Sequence, residues 1–331
     1  MLTQVQTKTL SQVLNKILRV TVSGASHHSI NLKGGTVGDV CLVTGIAQTT
    51  TDDAIPYKLV LKIQKKWARW GDPLSWRREY DLYKSCLAET FSNTFCWPKC
   101  YHAELNGDET QLWMEYIEGI TGYDLTTPMM EKAAYELGRY QGKLQPDSLK
   151  SITNLDMADA RETHYRHWKP KNLEYSYIRS SDCPIPKHLC DMLIDVDTRA
   201  DDIFNRIKQL PIVLCHRDYW VNNIFFANGC IYAIDWDSTG WGYLGEDIIS
   251  LITDETNPAF WAEYKTQLIP AYLGGIAESI DIAELDSSII GDMALTSGYM
   301  YVHYYMHEES QDKKEGLLMY LQQLYEVFYR V

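Results

Sequence analysis

The chain has 331 residues, 45% hydrophobic and 23% charged, which is ordinary for a globular protein and enough to build two lobes with sizeable cores. No run of eighteen apolar residues occurs, so no membrane span is expected. A formal net charge of −13 disfavours nucleic acid and anionic membranes as partners, and eight Cys without paired C-x-x-C spacing argue against a zinc site and for reduced thiols.

The elements follow in chain order. MLTQVQTKTLSQVLNKILRV reads as an amphipathic helix without an apolar signal core, so the default location is cytoplasmic. SINLKGGTVGDVCLVTGI reads as a strand, a glycine loop (Gly34, Gly35, Gly38, with Val40 two beyond) and a second strand. YKLVLKI, 57 to 63, is a strand whose apolar pattern Lys62 interrupts; a buried lysine there requires an anionic partner. SWRREYDLYKSCLAE is helical and carries Glu79. KCYHAEL and TQLWMEYI are strands joined by the Asn106-Gly107-Asp108 turn. MMEKAAYELGRYQGKLQ follows Thr127-Pro128 with apolar residues at helical spacing. Residues 158 to 183 are basic and aromatic without clear period and read as an insertion; Arg161, His164, Arg166 and His167 either contact a phosphate or lie in a solvated loop.

Residues 212 to 237, IVLCHRDYWVNNIFFANGCIYAIDWD, carry the chemistry. His216-x-Asp218 is followed five positions later by Asn223, and Asp235 comes twelve residues after that, at the end of an apolar stretch. Strand, polar loop, strand, Asn228-Gly229 turn and returning strand would present Asp218, Asn223 and Asp235 around one point. Phosphoryl transfer needs a carboxylate to orient and deprotonate an attacking hydroxyl, and an amide plus a carboxylate to hold Mg²⁺. Further on, Asp247 opens the apolar helix IISLI, and SGYMYVHYYMHEE is an aromatic stripe that is either core or a ligand cage. Residues 251 to 331 hold thirteen Asp/Glu against four Lys/Arg, either a solvated helical face or an acidic rim that attracts a cationic substrate. No P-loop motif, internal repeat or long linker occurs.

H-x-D-x-x-x-x-N followed by I-D-W-D resembles the aminoglycoside phosphotransferase and choline kinase branch of the protein-kinase-like fold. That resemblance implies an α+β, bilobal architecture: a small β-rich N-lobe with one main helix over 1–117, a hinge at about 114–119, and a larger, mostly helical C-lobe over 118–331. It also implies roles. Asp218 is the catalytic base and His216 its support, and Asn223 and Asp235 are Mg²⁺ ligands. Lys62 sits against the nucleotide phosphates with Glu79 as its partner, and Gly35, Gly38 and Val40 belong to the phosphate-covering loop. Met114, Glu115 and Ile117 line the adenine pocket, and Asp247 braces the catalytic loop or caps its own helix. The acceptor is expected against the C-terminal helices, with Asp254, Glu255, Tyr304, Glu308 and Glu309 as its contacts.

Two departures from the pattern stand out. Lys33 occupies the place of the first loop glycine, and Arg217 has the form usual in protein kinases, where antibiotic kinases more often carry Gly. The expected reaction is ATP-dependent transfer (GTP not excluded) of the γ-phosphate to a small-molecule hydroxyl, with an aminoglycoside or amino alcohol favoured by the acidic C-terminal region. Choline, homoserine and fructosamine acceptors stay open, as do a protein kinase and a noncatalytic nucleotide-binding protein. The first of these rivals is opposed by the eleven residues from Asp235 to Glu246, too short for a peptide-docking segment.

Overall fold

The structure, a computed structural model, describes residues 2–32, 38–67, 69, 72–144, 146–149, 152, 154–155, 159–168 and 173–330. In chain order the strands and longer helices begin with α1 (Gln4–Leu18), β1 (Val22–Ala25), β2 (His28–Asn31), β3 (Gly38–Thr49), β4 (Ala54–Lys65) and α2 (Ser75–Tyr83). There follow β5 (Phe95–Cys96), β6 (Cys100–Asn106), β7 (Glu109–Glu115), β8 (Ile120–Thr121) and α3 (Thr127–Lys143). The middle of the chain forms α4 (Ala160–Trp168), α5 (Leu173–Ile178), α6 (Lys187–Thr198), α7 (Ala200–Ile207), β9 (Ile212–Cys215), β10 (Ile224–Ala227) and β11 (Cys230–Ala233). The remainder is β12 (Gly240–Tyr243), α8 (Glu246–Thr253), α9 (Trp261–Ile276), α10 (Ser288–Leu295), α11 (Gly298–His307) and α12 (Gln311–Gln323). The chain divides into two compact units, one of Met1–Gly119, Ser151–Asn154 and Ala227–Ser238, the other of Ile120–Lys150, Leu155–Phe226 and Thr239–Val331.

The first unit is built on an antiparallel sheet of order β1-β3-β4-β7-β6, with β2 also paired to β3. Strand alternation sorts β4 into two faces. Leu59 and Leu61 join Leu10, Val13 and Leu14 of α1, Val43 of β3 and Trp113 of β7 in one buried cluster. Lys62 and Gln64, in the opposite phase, are also buried. The helix α1 starts at a capping box, Thr3 accepting from the Gln6 N–H and the Gln6 side chain returning to the Thr3 N–H. On α2, Ser75, Arg78, Glu79 and Leu82 are buried at helical spacing, so this short helix turns two charged residues inward.

The second unit is mostly helical. Its α3 and α9 lie back to back through glycines: a Cβ on Gly138 would stand 2.1 Å from the Tyr272 carbonyl oxygen, and one on Gly275 would stand 2.1 Å from that of Tyr135. Backbones this close leave no room for a side chain. Strand β9 pairs antiparallel with β12, Cys215 opposite Gly240, and ends there, just before His216. The reading of 158 to 183 as an aperiodic insertion is corrected, because α4 and α5 occupy much of it. Their sequences are mostly polar, with Tyr165 of α4 and Ile178 of α5 buried, and polar contacts add to the anchoring of α4. Arg161 donates to the Met293 carbonyl and to Thr296, and Arg166 bonds Glu162 one turn away and also Asp201. The basic cluster is therefore engaged inside this unit, and burial together with Arg161 drives the His164 imidazole down to about 4.

Replacing Gly138 by Ala is expected to cost about 1–3 kcal/mol by overpacking, lowering the melting temperature by several degrees. Gly316→Ala, on α12 with open space at its Cβ position, is expected to be neutral or stabilising by up to ~1 kcal/mol through helix propensity. Differential scanning calorimetry of the two variants checks the pair.

Candidate active site

In the first unit, Lys62 of β4 lies opposite Val40 of β3 and Leu112 of β7, in the middle of the sheet. Its ammonium is 2.6 Å from Glu79 Oε2 and 2.5 Å from Asp235 Oδ1. Burial pulls the lysine pKa down, but Asp235, Glu79 and Asp237 outweigh it and hold the group raised and charged. The same burial raises the Glu79 carboxyl against the pull of Lys62. A charge removed from water in this way is tolerated only with fixed partners.

Those partners are themselves held. Asp235 adopts a left-handed backbone (φ 65), and the turn after it is gripped by groups that sequence reasoning did not single out. Gln64 Nε2 donates to Asp237 Oδ2 at 3.0 Å, Arg69 donates to Ser238 Oγ at 2.8 Å, and Arg78 Nη1 donates to the Asp237 carbonyl at 3.0 Å. Arg78 also donates to both Asp72 oxygens and to the Asn154 carbonyl. Trp236, between the two acids, is fully buried with its ring edge-on to Phe91 and Trp97. A signal for Gln64 did exist: it lies two residues from Lys62, on the same face of a strand.

Met114 and Ile117 are buried, and Glu115 closes β7 with its N–H donated to the Lys99 carbonyl. Gly38 opens β3, where an added Cβ would stand 2.5 Å from the Ile63 carbonyl oxygen. Gly35, like the rest of 33–37, lies outside the described residues.

In the second unit the loop that follows β9 is pinned by Asp247. Its carboxylate accepts from the His216 N–H (2.7 Å), the Arg217 N–H (2.8 Å) and Gln141 Nε2 (2.8 Å). Gln141 also donates to the Leu214 carbonyl and accepts from the Tyr272 hydroxyl, all in a fully buried setting. Asp247 is the second residue of α8, whose N-cap is Gly245 at φ 105, and its carboxylate bonds the backbone of His216 and Arg217. Arg217, at φ 63, donates to the Trp241 carbonyl, which gives the side chain a structural anchor. Beyond it, Asn223 Nδ2 donates to both the carbonyl and Oδ2 of Asp218, at 2.9 and 2.8 Å. The buried His216 ring stands edge-on to that of Tyr219 at 5.9 Å.

Mg²⁺ takes hard oxygen donors, commonly one or two carboxylates completed by phosphate and water. Asp235 leaves 34% of its side chain exposed, and Asn223, spending its amide nitrogen on Asp218, keeps Oδ1 as the acceptor side of the group. Each, taken in its own unit, offers an oxygen of the kind the ion takes.

Toward the C-terminus, an open pocket of ≈ 410 Å³ is lined by Tyr304, His307, Glu308, Lys313, Gly316, Leu317 and Tyr320. It brings together Tyr304 and Glu308 of the expected acceptor contacts; Asp254, Glu255 and Glu309 are not among its lining residues. Of the aromatic stripe, Tyr299, Tyr301 and Tyr305 are core, and Tyr304 is exposed. Glu308 accepts from the Ser310 and Glu309 N–H groups and pairs with Lys313, contacts that hold its carboxyl below the ordinary range.

Burial is the largest influence on Asp247, lifting it from 3.8 to about 6 against the two backbone N–H bonds. The folded chain thus holds a proton that the unfolded chain has lost between about pH 4 and pH 6, and this carboxyl adds stability as pH falls through that window. Asp247→Asn turns an N–H₂ toward backbone donors and is expected to lose about 1–3 kcal/mol at neutral pH. The gap from wild type should widen on going from about pH 7 to about pH 4. Urea denaturation across that range measures it, and a gap independent of pH would contradict the mechanism.

Among the described residues no helix is long and apolar enough to cross a membrane. No curated protein matches the chain. Solved structures do share its fold. A choline kinase from Cryptosporidium parvum Iowa II superposes with a TM-score of 0.62 at 14% identity, over 99% of this chain and 96% of that one. A Plasmodium vivax ethanolamine kinase gives 0.57 at 17%, over 97% and 88%. An amicoumacin kinase in complex with AMP-PNP, Ca²⁺ and its antibiotic gives 0.57 at 14%, over 97% and 96%. At these identities the likeness establishes the kinase-like α+β fold. The family model of the phosphotransferase enzyme family, APH, matches residues 68–281, and with nearly two thirds of its length so matched the chain belongs to that family.

Proposed function

We propose that the protein transfers the γ-phosphate of ATP to a hydroxyl group of a small, cationic molecule. The observation that carries this is Lys62, a buried ammonium held between Glu79 and Asp235. A chain seldom buries a lysine in mid-sheet for stability alone, since the desolvation cost is several kcal/mol per ion. Its use is to present fixed positive charge to phosphate.

In this scheme Lys62 neutralises the non-transferred phosphates, and the backbone at Gly35 and Gly38 covers them. Met114 packs on the base, whose edge meets the Glu115 carbonyl and the Ile117 N–H. Asp235 and Asn223 each offer an oxygen to Mg²⁺, which when bound neutralises charge on the phosphate oxygens. Asp218 orients the acceptor hydroxyl and accepts its proton late, because phosphoryl transfer passes through a loose transition state. The Asn223 amide holds the Asp218 carboxylate in one rotamer, and Asp247 keeps the preceding backbone in place for both.

A cationic acceptor is favoured by the thirteen acids against four bases in residues 251 to 331. The pocket beside Tyr304, Glu308 and Tyr320 adds aromatic faces and a carboxylate, which suit an ammonium. The solved kinases named for choline and ethanolamine lend further support.

Two experiments test these assignments. Asp218→Asn is expected to retain Mg·ATP binding by calorimetry while turnover of an amine-alcohol acceptor falls by about 10³-fold or more; full turnover would refute the role. Neutralising Glu308 and Glu309 to Gln is expected to raise the acceptor KM about 2–5-fold with kcat unchanged, the size of an exposed cation contact. An unchanged KM removes the case for a cationic acceptor at this pocket.

A further inference from the structure

The second unit contains a cluster of metal-ligating side chains remote in sequence from the phosphotransfer motifs. Helix α11 carries His303 and His307 one turn apart, with ring centroids 4.5 Å from each other. Facing them is Glu174 of α5, whose Oε1 is 2.6 Å from His303 Nδ1. One ligand atom from each of the three residues lies within 4.8 Å of the other two.

We propose that Glu174, His303 and His307 form a binding site for a borderline divalent transition metal, Zn²⁺ or an ion of similar preference. Two imidazoles and one carboxylate are the donor set that zinc takes at open sites, where a fourth position is left to water or an exogenous ligand. Tetrahedral zinc places its ligand atoms about 3.3 Å apart, given metal–ligand bonds of about 2.0–2.1 Å. The Glu174–His303 pair has to open slightly and the exposed His307 ring has to turn inward, both side-chain adjustments. When the metal binds through Nδ1, the proton on that nitrogen moves by way of solvent to Nε2, which leaves a neutral imidazole as ligand and the metal between Nδ1 and Glu174 Oε1.

Burial and charge favour occupancy. Glu174 is a buried carboxylate, and among the described residues its ion-pair partner is His303 alone. A dication would add charge compensation to the single hydrogen-bonded contact that Glu174 makes with that ring. His307 ends α11, where the helix presents its negative dipole end. His307 also lines the open pocket, so the remaining coordination position faces solvent and whatever enters there.

The absence of paired cysteine spacing argued against zinc, yet these ligands come from two helices separated by more than a hundred residues, a pairing that spacing does not reveal. The proposal stands independently of the phosphotransfer reading. Mg²⁺, which favours all-oxygen sites, is not expected to compete.

The test uses the full-length protein, stripped with EDTA and desalted, then titrated with Co²⁺ as a spectroscopic stand-in. Wild type is expected to bind one equivalent with visible ligand-field bands and no thiolate charge-transfer band. His307→Ala, an exposed position, should keep the metal-free melting temperature and weaken binding at least 10-fold, and adding His303→Ala should abolish binding. Zn²⁺ should displace Co²⁺ and raise the melting temperature of wild type only. Equal binding by wild type and the double variant, or a thiolate band showing that cysteines take the metal, overturns the proposal.

Discussion

The structure depends on one constraint: every charge withdrawn from water has to meet a fixed partner. Lys62 is the clearest case. An ammonium in the middle of a sheet, with Glu79 and Asp235 within hydrogen-bonding distance, commits a strand, a helix and a turn to one arrangement. Removing either carboxylate would leave the other charges uncompensated, the costly way to break a buried pair. The turn bearing Asp235 is in consequence secured a second time, through Asp237, by Gln64, Arg69 and Arg78.

The same constraint operates in the second unit with the sign reversed. Asp247 is a buried acid, and what it meets is not a cation but three N–H donors, two of them from the backbone of His216 and Arg217. Backbone donors have no rotamer freedom, so their satisfaction fixes the chain entering Asp218 more tightly than a side-chain pair would. The carboxyl remains costly to ionise, and this is why its pKa moves up to about 6 even with those bonds. Gln141 and Tyr272 extend the network to α3 and α9, the two helices whose glycines let their backbones touch. A close helix contact and a braced loop are thereby parts of one packing solution.

Much of this was legible in advance, and the reasons differ by element. The strands flanking Lys62 announce themselves by alternation, and α3 by its 3.6-residue period and Thr127-Pro128 start. The pairing of Lys62 with Glu79 was expected from the order loop, strand, helix, because a buried lysine demands an acid and the next helix offers one. Helices α4 and α5 were not legible: α4 is anchored by Arg161 and Arg166 reaching Thr296 and Asp201 and by the buried ring of Tyr165, and α5 buries Ile178 and Glu174, a mixture of polar and apolar anchors that leaves no clear apolar period. Arg78 was equally hidden, since an arginine beside a glutamate on a charged helix looks solvated until its three partners are seen.

By itself the sequence determined the family and the reaction class, because the motif that holds Asp218, Asn223 and Asp235 lies within eighteen residues and its spacing is a local property of the chain. Tertiary structure alone decided which polar groups lose their water, and so which become supports. Gln64, Arg78 and Gln141 acquired their positions from partners 73 to 173 residues away. It also decided that most of the aromatic stripe on α11 is core, leaving Tyr304 exposed, His303 bonded to Glu174 and His307 close by. The physical reason is that burial is a property of packed surfaces, which a one-dimensional pattern records only where the packing is periodic.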